Sequence, residues 1–279
     1  MSPRRPRPGR STGPEPGPVL PGTAPTATGA RPTRRGGGAP WNRNSWSTRS
    51  SAPLEAVQGE GRSLGRRCGF LRLGGCNLSC RWCDTPYTWD WQGISDSGVS
   101  YDPKVELHRR PVSSVAEELM GLGVGLVVIS GGEPLSQQAR LLPLVDILRD
   151  AGTEVEFETN GTRVPDSRLV RPGVRFNVSP KLSHSGDPAG RRIVPQALTR
   201  FAATPGTTFK FVCRTTADLD EVAALVSDFG IESVWIMPEG QNPHDIDKHM
   251  QELVSSVIDR GWNVTTRLHT LVWGQKRGV

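Results

Sequence analysis

Cys68-Gly69-Phe70-Leu71-Arg72-Leu73-Gly74-Gly75-Cys76-Asn77-Leu78-Ser79-Cys80-Arg81-Trp82-Cys83-Asp84-Thr85 joins a strand-like run to a tight set of three cysteines. Its first six residues have the apolar composition of a buried strand, and Gly74-Gly75 ends the run. The spacing that follows, Cys76-x3-Cys80-x2-Cys83, lets one loop wrap a face of a small metal centre, and soft sulfur ligands select zinc, Cu(I) or an iron–sulfur cluster. A structural zinc site wants a fourth Cys or His. None of the five histidines lies between Cys68 and Asp102, and Cys68 sits among strand residues, where an ordinary buried thiol is the better reading. A cubane cluster with one iron open to a ligand fits the missing fourth donor; spacing alone leaves zinc open as well.

Outward from this stretch, from about residue 54, apolar runs alternate with helical patterns. Candidate strands are Cys68–Leu73, Leu126–Ser130, Val155–Glu158, Arg175–Val178, Thr208–Cys213 and Ser233–Met237, most of them rich in Val, Ile and Phe. Between them lie helical candidates. Val112–Leu122 opens with Ser113 and Ser114, followed by Glu117 at capping-box spacing, and Arg140–Ala151 runs to Gly152. Ala217–Phe229 starts near Asp218 and stops at Gly230, and Asp245–Arg260 stops at Gly261. Alternating strands and helices imply right-handed crossovers and a parallel sheet of about six strands. That sheet is either open and doubly wound or an incomplete barrel; in both, reactive residues belong at the carboxyl ends of strands. No internal repeat is evident.

The chain has 279 residues, 35% of them hydrophobic, with a net charge of +6. The charge is unevenly spread: residues 1–50 hold 9 Arg, no Lys and one acid, Glu15, whereas the remainder carries 25 basic and 27 acidic residues. With 10 Pro and 8 Gly and few aliphatic residues, the first 50 residues are expected to be a disordered extension, since they cannot offset the entropy of ordering. They lack the apolar core of a secretory signal. No run reaches the roughly 18–20 apolar residues of a membrane-spanning helix, and five cysteines, three of them within eight residues, do not make a disulfide scaffold. A cytoplasmic protein without membrane or direct nucleic-acid binding is expected.

The cysteine motif resembles that of the radical S-adenosylmethionine enzymes. Within that superfamily the surrounding segments are similar to the 7-carboxy-7-deazaguanine synthases, which make the deazapurine core of queuosine and related bases. The matching segments are Val57-Gln58-Gly59-Glu60-Gly61, Phe70-Leu71-Arg72, Gly75-Cys76-Asn77-Leu78, Trp82-Cys83-Asp84-Thr85, Tyr87-Thr88-Trp89-Asp90, Ser130-Gly131-Gly132-Glu133-Pro134, Glu158-Thr159-Asn160-Gly161-Thr162, Ser179-Pro180-Lys181 and Leu268-His269-Thr270-Leu271-Val272-Trp273-Gly274. They span residues 54–279 in family order. The resemblance implies an α/β fold with an incomplete TIM-type barrel, the radical SAM core, as one catalytic domain over 54–279.

It further implies that Cys76, Cys80 and Cys83 hold a 4Fe–4S cluster whose open iron chelates S-adenosylmethionine, and that Thr85 binds Mg2+, a hard cation needing few protein ligands. Gly132 and Glu133, at a strand's carboxyl end, match the segment that takes the methionine moiety, the glycines allowing close backbone approach. Ser179, Pro180 and Lys181 match a further contact with the cofactor, Met237, Pro238, Glu239 and Gly240 look like its adenine-side partner, and Trp82 and Asp84 flank the nucleoside. Val57, Gln58 and Gly59 match the positions that hold the pterin, with Glu60 as a further candidate. Ser130 stands where other members have Thr. Arg72 is costly in an apolar strand unless paired, and its planar fork suits a substrate carboxylate. Val279 could reach the substrate through its free carboxylate. His184, His244, His249 and His269 have no constellation of their own, and Cys213, alternating with Phe209 and Phe211, reads as core.

The implied reaction converts 6-carboxy-5,6,7,8-tetrahydropterin to 7-carboxy-7-deazaguanine with loss of ammonia, by hydrogen abstraction, ring contraction and elimination. A homodimer and an electron donor such as flavodoxin or ferredoxin are implied with it. The rival expectations are an activating enzyme of the same superfamily, acting on a partner protein, and a zinc-binding or electron-transfer protein without turnover.

Overall fold

The computed structural model describes residues 47–278, with side chains from Ser51 onward. In chain order the strands and helices are β1 (Ser47–Ser50), β2 (Leu54–Val57), β3 (Arg67–Leu73), α1 (Pro103–Glu106), β4 (His108–Pro111), α2 (Val112–Gly121), β5 (Leu126–Gly131), α3 (Gln138–Asp150), β6 (Glu154–Thr159), β7 (Val174–Val178), α4 (Ala189–Arg192), α5 (Pro195–Ala202), β8 (Thr208–Cys213), α6 (Thr216–Phe229), β9 (Val234–Pro238), α7 (Pro243–Asp259), β10 (Asn263–Val264) and α8 (Leu268–Trp273). All six expected strands are present. The extension expected to be disordered ends sooner than residue 50, because Ser47–Ser50 pair with β4; the rest of it lies outside the described residues.

The sheet runs β10-β9-β8-β7-β6-β5-β3-β1-β4, with β2 on β3. From β3 to β10 every pairing is parallel, whereas β1 and β2 join antiparallel. Each parallel strand lies beside its predecessor without reversal. A doubly wound sheet requires a reversal at its switch point; this winding is that of a β/α barrel, and the two ends, β10 and β4, do not pair with each other. The fold is therefore the incomplete barrel.

Side chains alternate across each strand. On the outer face Leu71, Ile129, Phe157, Phe176, Phe209 and Phe211 join one apolar core that takes in residues of α2, α3, α6 and α7. Phe157 stacks on Phe176 at 5.7 Å, and Phe176 meets Phe201 of α5 edge-on at 5.3 Å; truncating such a buried ring to Ala costs about 3–5 kcal/mol. Cys213 is fully buried in this core, as its spacing implies. The inner face carries Arg72, Ser130, Glu156, Glu158, Asn177 and Lys210, and the register sets Arg72 beside Ser130 and Glu158 beside Asn177.

Side chains cap the starts of α1, α6 and α7, through Asp102, Thr215 and Asn242. Thr215 and Asp218 form a reciprocal capping box on α6, which Gly230 ends at φ 64°. The box expected at Ser113, Ser114 and Glu117 does not form. Helix α2 begins at Val112 as expected, after Pro111, which offers no side-chain cap, so Ser114 lies inside the first turn and donates to Glu118 at 3.1 Å instead.

Candidate active site

The cysteine loop leaves β3 and is fixed from three sides. Beneath it runs the end of β5: Gly132 N donates to Leu73 O at 2.9 Å, and Glu133 N to Gly75 O at 2.8 Å. A Cβ on Gly131, whose φ is 141°, would lie 2.0 Å from Leu73 O, and one on Gly132 would lie 2.1 Å from Gly75 O. Both glycines are thus needed for one backbone to lie on another. On the β6 side, Asn77 donates to Thr162 Oγ1 at 2.9 Å and accepts from Asn160 Nδ2 at 3.1 Å. On the third side, Asp187 accepts from Ser79 N at 3.1 and 3.0 Å, and Arg191 donates to Asn77 O at 2.6 Å.

All three thiols are free. Burial raises their pKa values, that of Cys76 to about 12. Amide and indole N–H groups face two of them: Leu78 N donates to Cys76 Sγ at 3.5 Å and Trp89 Nε1 to Cys83 Sγ at 3.2 Å. Among the described residues, the three metal-binding side chains whose ligand atoms all fall within 4.8 Å are Glu60, Asp84 and His269, not the cysteines. Sulfurs bound to one zinc at about 2.3 Å lie about 3.8 Å apart. The wider set of three soft donors, with N–H groups aimed at sulfur, fits an iron–sulfur cluster.

Beside the loop, on the inner face, opens a cavity of about 620 Å3. It is lined by Val57, Gln58, Gly59, Arg72, Trp82, Asp84, Thr85, Ser130, Gly132, Ser179, Lys181, Met237 and Glu239 from the expected set. Cys76, Cys80, Cys83, Glu133, Pro180, Pro238 and Gly240 do not line it, and Val279 lies outside the described residues. Glu133 is fully buried and turned inward, accepting from Leu135 N at 2.9 Å, Thr159 Oγ1 at 2.8 Å and Asn160 N at 2.7 Å; desolvation holds its pKa above the ordinary value. Its carboxyl group ties the ends of β5 and β6 together.

An incomplete β/α barrel with a three-cysteine loop at the end of its first parallel strand is what the geometry establishes, and comparison with known proteins decides the family. The model of the radical SAM superfamily matches residues 71–253. The chain belongs to the radical SAM superfamily. It is 36% identical over 226 residues to the 7-carboxy-7-deazaguanine synthase of Pyrobaculum aerophilum, covering 80% of this chain and 93% of that one. It is 30% identical over 225 residues to the Escherichia coli protein of the same name, covering 77% and 94%. Within the superfamily the chain therefore falls among the 7-carboxy-7-deazaguanine synthases. The crystal structure of QueE from Escherichia coli shares the fold, with a TM-score of 0.62 at 24% identity over 82% of this chain and all of that one. As a radical SAM enzyme it uses a 4Fe–4S cluster and S-adenosylmethionine.

Glu158, Lys210, Arg267 and His269 also line this cavity and escape a sequence reading, which Glu60, in the same lining, does not. Glu60 pairs with Lys210, lies 3.4 Å from Arg267 Nε and 3.9 Å from His269 Nε2, and Arg267 also binds Asp84 and donates to Gly240 O at 2.6 Å. Burial alone would raise the pKa of Glu60, but Lys210, Arg267 and His269 outweigh it and hold the carboxyl well below its usual range; Arg267 does the same for Asp84. Glu158 accepts from Ser130 Oγ at 2.8 Å and from Gln58 Nε2 at 3.1 Å, while Gln58 Nε2 also reaches Glu156 at 2.9 Å. The Gln58 amide, expected at the pterin edge, is thus spent on two carboxylates. The signal was present: Glu156, Glu158, Asn177 and Lys210 are polar at alternate positions of otherwise apolar strands, as Arg72 is.

Proposed function

We propose that this chain converts 6-carboxy-5,6,7,8-tetrahydropterin to 7-carboxy-7-deazaguanine with loss of ammonia, through one catalytic domain spanning residues 54–279. The observation that carries this reading is Arg72. Its guanidinium projects into the cavity over the Phe70 ring at 4.8 Å, and among the described residues no carboxylate stands within ion-pair distance of it. An inner-face cation without an anion is matched to one that arrives with the substrate.

The rest of the cavity divides the work. Ser130, next to Arg72 across the sheet, keeps lone pairs free while donating to Glu158, so it can accept from the pterin. The Thr85 hydroxyl is not used to cap the turn that follows it and makes only a 3.7 Å contact with Cys83 Sγ; it is left for Mg2+, with substrate oxygens and water completing the shell. Backbone at Val57 and Gly59 borders the pterin, and Gln58 fixes Glu158. Gly132, Trp82, Ser179, Lys181, Met237 and Glu239, which share the cavity lining, would hold S-adenosylmethionine; Lys181 Nζ donates to Ser179 Oγ at 3.0 Å and sits 5.8 Å from the Trp82 ring. When bound, the cluster and S-adenosylmethionine supply the electron and the hydrogen-abstracting group, while the protein supplies position. A flavodoxin or ferredoxin as donor, a homodimer and a cytoplasmic location belong to the same reading; no described helix is long and apolar enough to cross a membrane.

The test is anaerobic. Protein reconstituted with iron and sulfide is reduced and given S-adenosylmethionine, Mg2+ and 6-carboxytetrahydropterin, and products are identified by mass spectrometry. 7-Carboxy-7-deazaguanine and ammonia are expected in equal amounts; because the conversion is redox-neutral and returns the abstracted hydrogen, 5′-deoxyadenosine is expected only from uncoupled cleavage. 5′-Deoxyadenosine without the deazaguanine discards the substrate, and neither product from cluster-loaded protein overturns the reading. Thr85→Ala is expected to keep the cluster and lose the response to Mg2+.

A further inference from the structure

Past α8 the chain does not leave the site. Gly274–Gly278 run along the cavity, whose lining they share with Tyr87 and Glu106. The base of this strap is fixed: Leu268 N donates to Gly59 O at 2.9 Å, tying α8 to the expected pterin segment, and Gly274 N donates to Thr270 O at 2.9 Å. Its tip is gripped by a separate device. The Arg277 guanidinium lies 3.9 Å from the Tyr87 ring centre and 5.2 Å from that of Tyr101, and the two rings meet edge-on at 6.3 Å. Its Nη1 stands 3.4 Å from each oxygen of Glu106. Two aromatic faces and a carboxylate around one cation form a cage, and here the cage is filled by the chain's own Arg277.

We propose that this cage is the latch of the substrate cavity: Arg277, held by Tyr87, Tyr101 and Glu106, keeps the Gly274–Gly278 strap closed over bound substrate and so sets how long it is retained. The inference rests on the pterin reading for the identity of that substrate, not for the latch itself. The Arg277 side chain is 50% exposed, so its contacts are of the weak, reversible kind, which a wall that must open for entry and release requires. Arg277 acts here as a positioning residue, through the strap and not through the reacting atoms.

The experiment uses full-length, cluster-loaded protein with Arg277→Ala, Arg277→Lys and Tyr101→Ala. Hydrogen exchange of the 274–278 amides, read by mass spectrometry, reports the latch directly; KM and kcat for 6-carboxytetrahydropterin report its use. For Arg277→Ala and Tyr101→Ala, exchange of the strap about tenfold faster is expected, with KM raised about tenfold and kcat changed less than about threefold. Arg277→Lys keeps the charge toward Glu106 and should recover part of both effects. Exchange identical to the parent protein overturns the latch, as does faster exchange with an unchanged KM. If the parent protein turns over no pterin, the pterin reading fails, and the exchange result still decides whether Arg277 holds the strap.

Discussion

Lys210 and Glu60 form a buried ion pair on the inner face of the barrel, their side chains 6% and 12% exposed. Removing Lys210 leaves Glu60 with only Arg267 at 3.4 Å and His269 at 3.9 Å, so Lys210→Met is expected to cost up to about 3 kcal/mol, the low end for a broken buried pair, with Lys210→Met/Glu60→Gln recovering part of it. Denaturant melts of the two variants check this. The pH dependence follows from both members: the Glu60 carboxyl is depressed from 4.5, so its contribution is present above that value and declines as pH falls below it. Lys210 is raised above 10.5, because Glu60 and Glu158 outweigh its burial, so its contribution is full below that value and lost as pH rises through the raised one. The pair should stabilise the fold evenly across the neutral range.

Arg72→Met removes the unpaired cation proposed to meet the substrate carboxylate. Its loss should lower kcat/KM by about a hundredfold, equivalent to the roughly 2–5 kcal/mol of a truncated charge pair. Cluster absorbance and melting temperature should stay near those of the parent protein, since Asp84, which Arg72 also helps keep ionised, retains its ion pair with Arg267. Steady-state kinetics beside a melt separates the two.

Trp89 Nε1 donates to Cys83 Sγ at 3.2 Å. Hydrogen bonds to cluster sulfur favour the reduced, more negative state. Trp89→Phe is expected to move the midpoint potential of the cluster about 40 mV more negative, taking roughly 1 kcal/mol for the bond and one electron. Spectroscopic redox titration reads the shift; an unchanged or more positive potential contradicts it.

Gly132→Ala would set a methyl group 2.1 Å from Gly75 O. Neither backbone can yield without moving the cysteine loop. A loss of roughly 1–3 kcal/mol in stability is expected, as for other overpacked sites, together with substoichiometric iron after reconstitution. Iron and sulfide analysis beside a melt tests both parts.

What the linear sequence determined is the part of this protein written in local pattern. Apolar runs rich in Val, Ile and Phe named all six expected strands, glycines named helix ends such as Gly230, and one loop carried three cysteines, because ligand spacing within ten residues survives in any fold that keeps the loop. Arg72 stood out for the same reason, as a charge where its own neighbours are apolar.

Only the tertiary structure decided the rest. Whether the sheet winds in one direction depends on which strands become neighbours, and pairing across crossovers leaves no mark on a single segment. Glu60 meets Lys210 from 150 residues away and Arg267 from 207; each looks solvated alone, and only the barrel's curvature brings them into one poorly hydrated space where pairing is obligatory. Glu133 and Gln58 make the converse point. Their motifs placed them at the cavity, but a buried carboxylate must find donors and a buried amide must find acceptors, and the nearest were Thr159 and Asn160 for the one and Glu156 and Glu158 for the other.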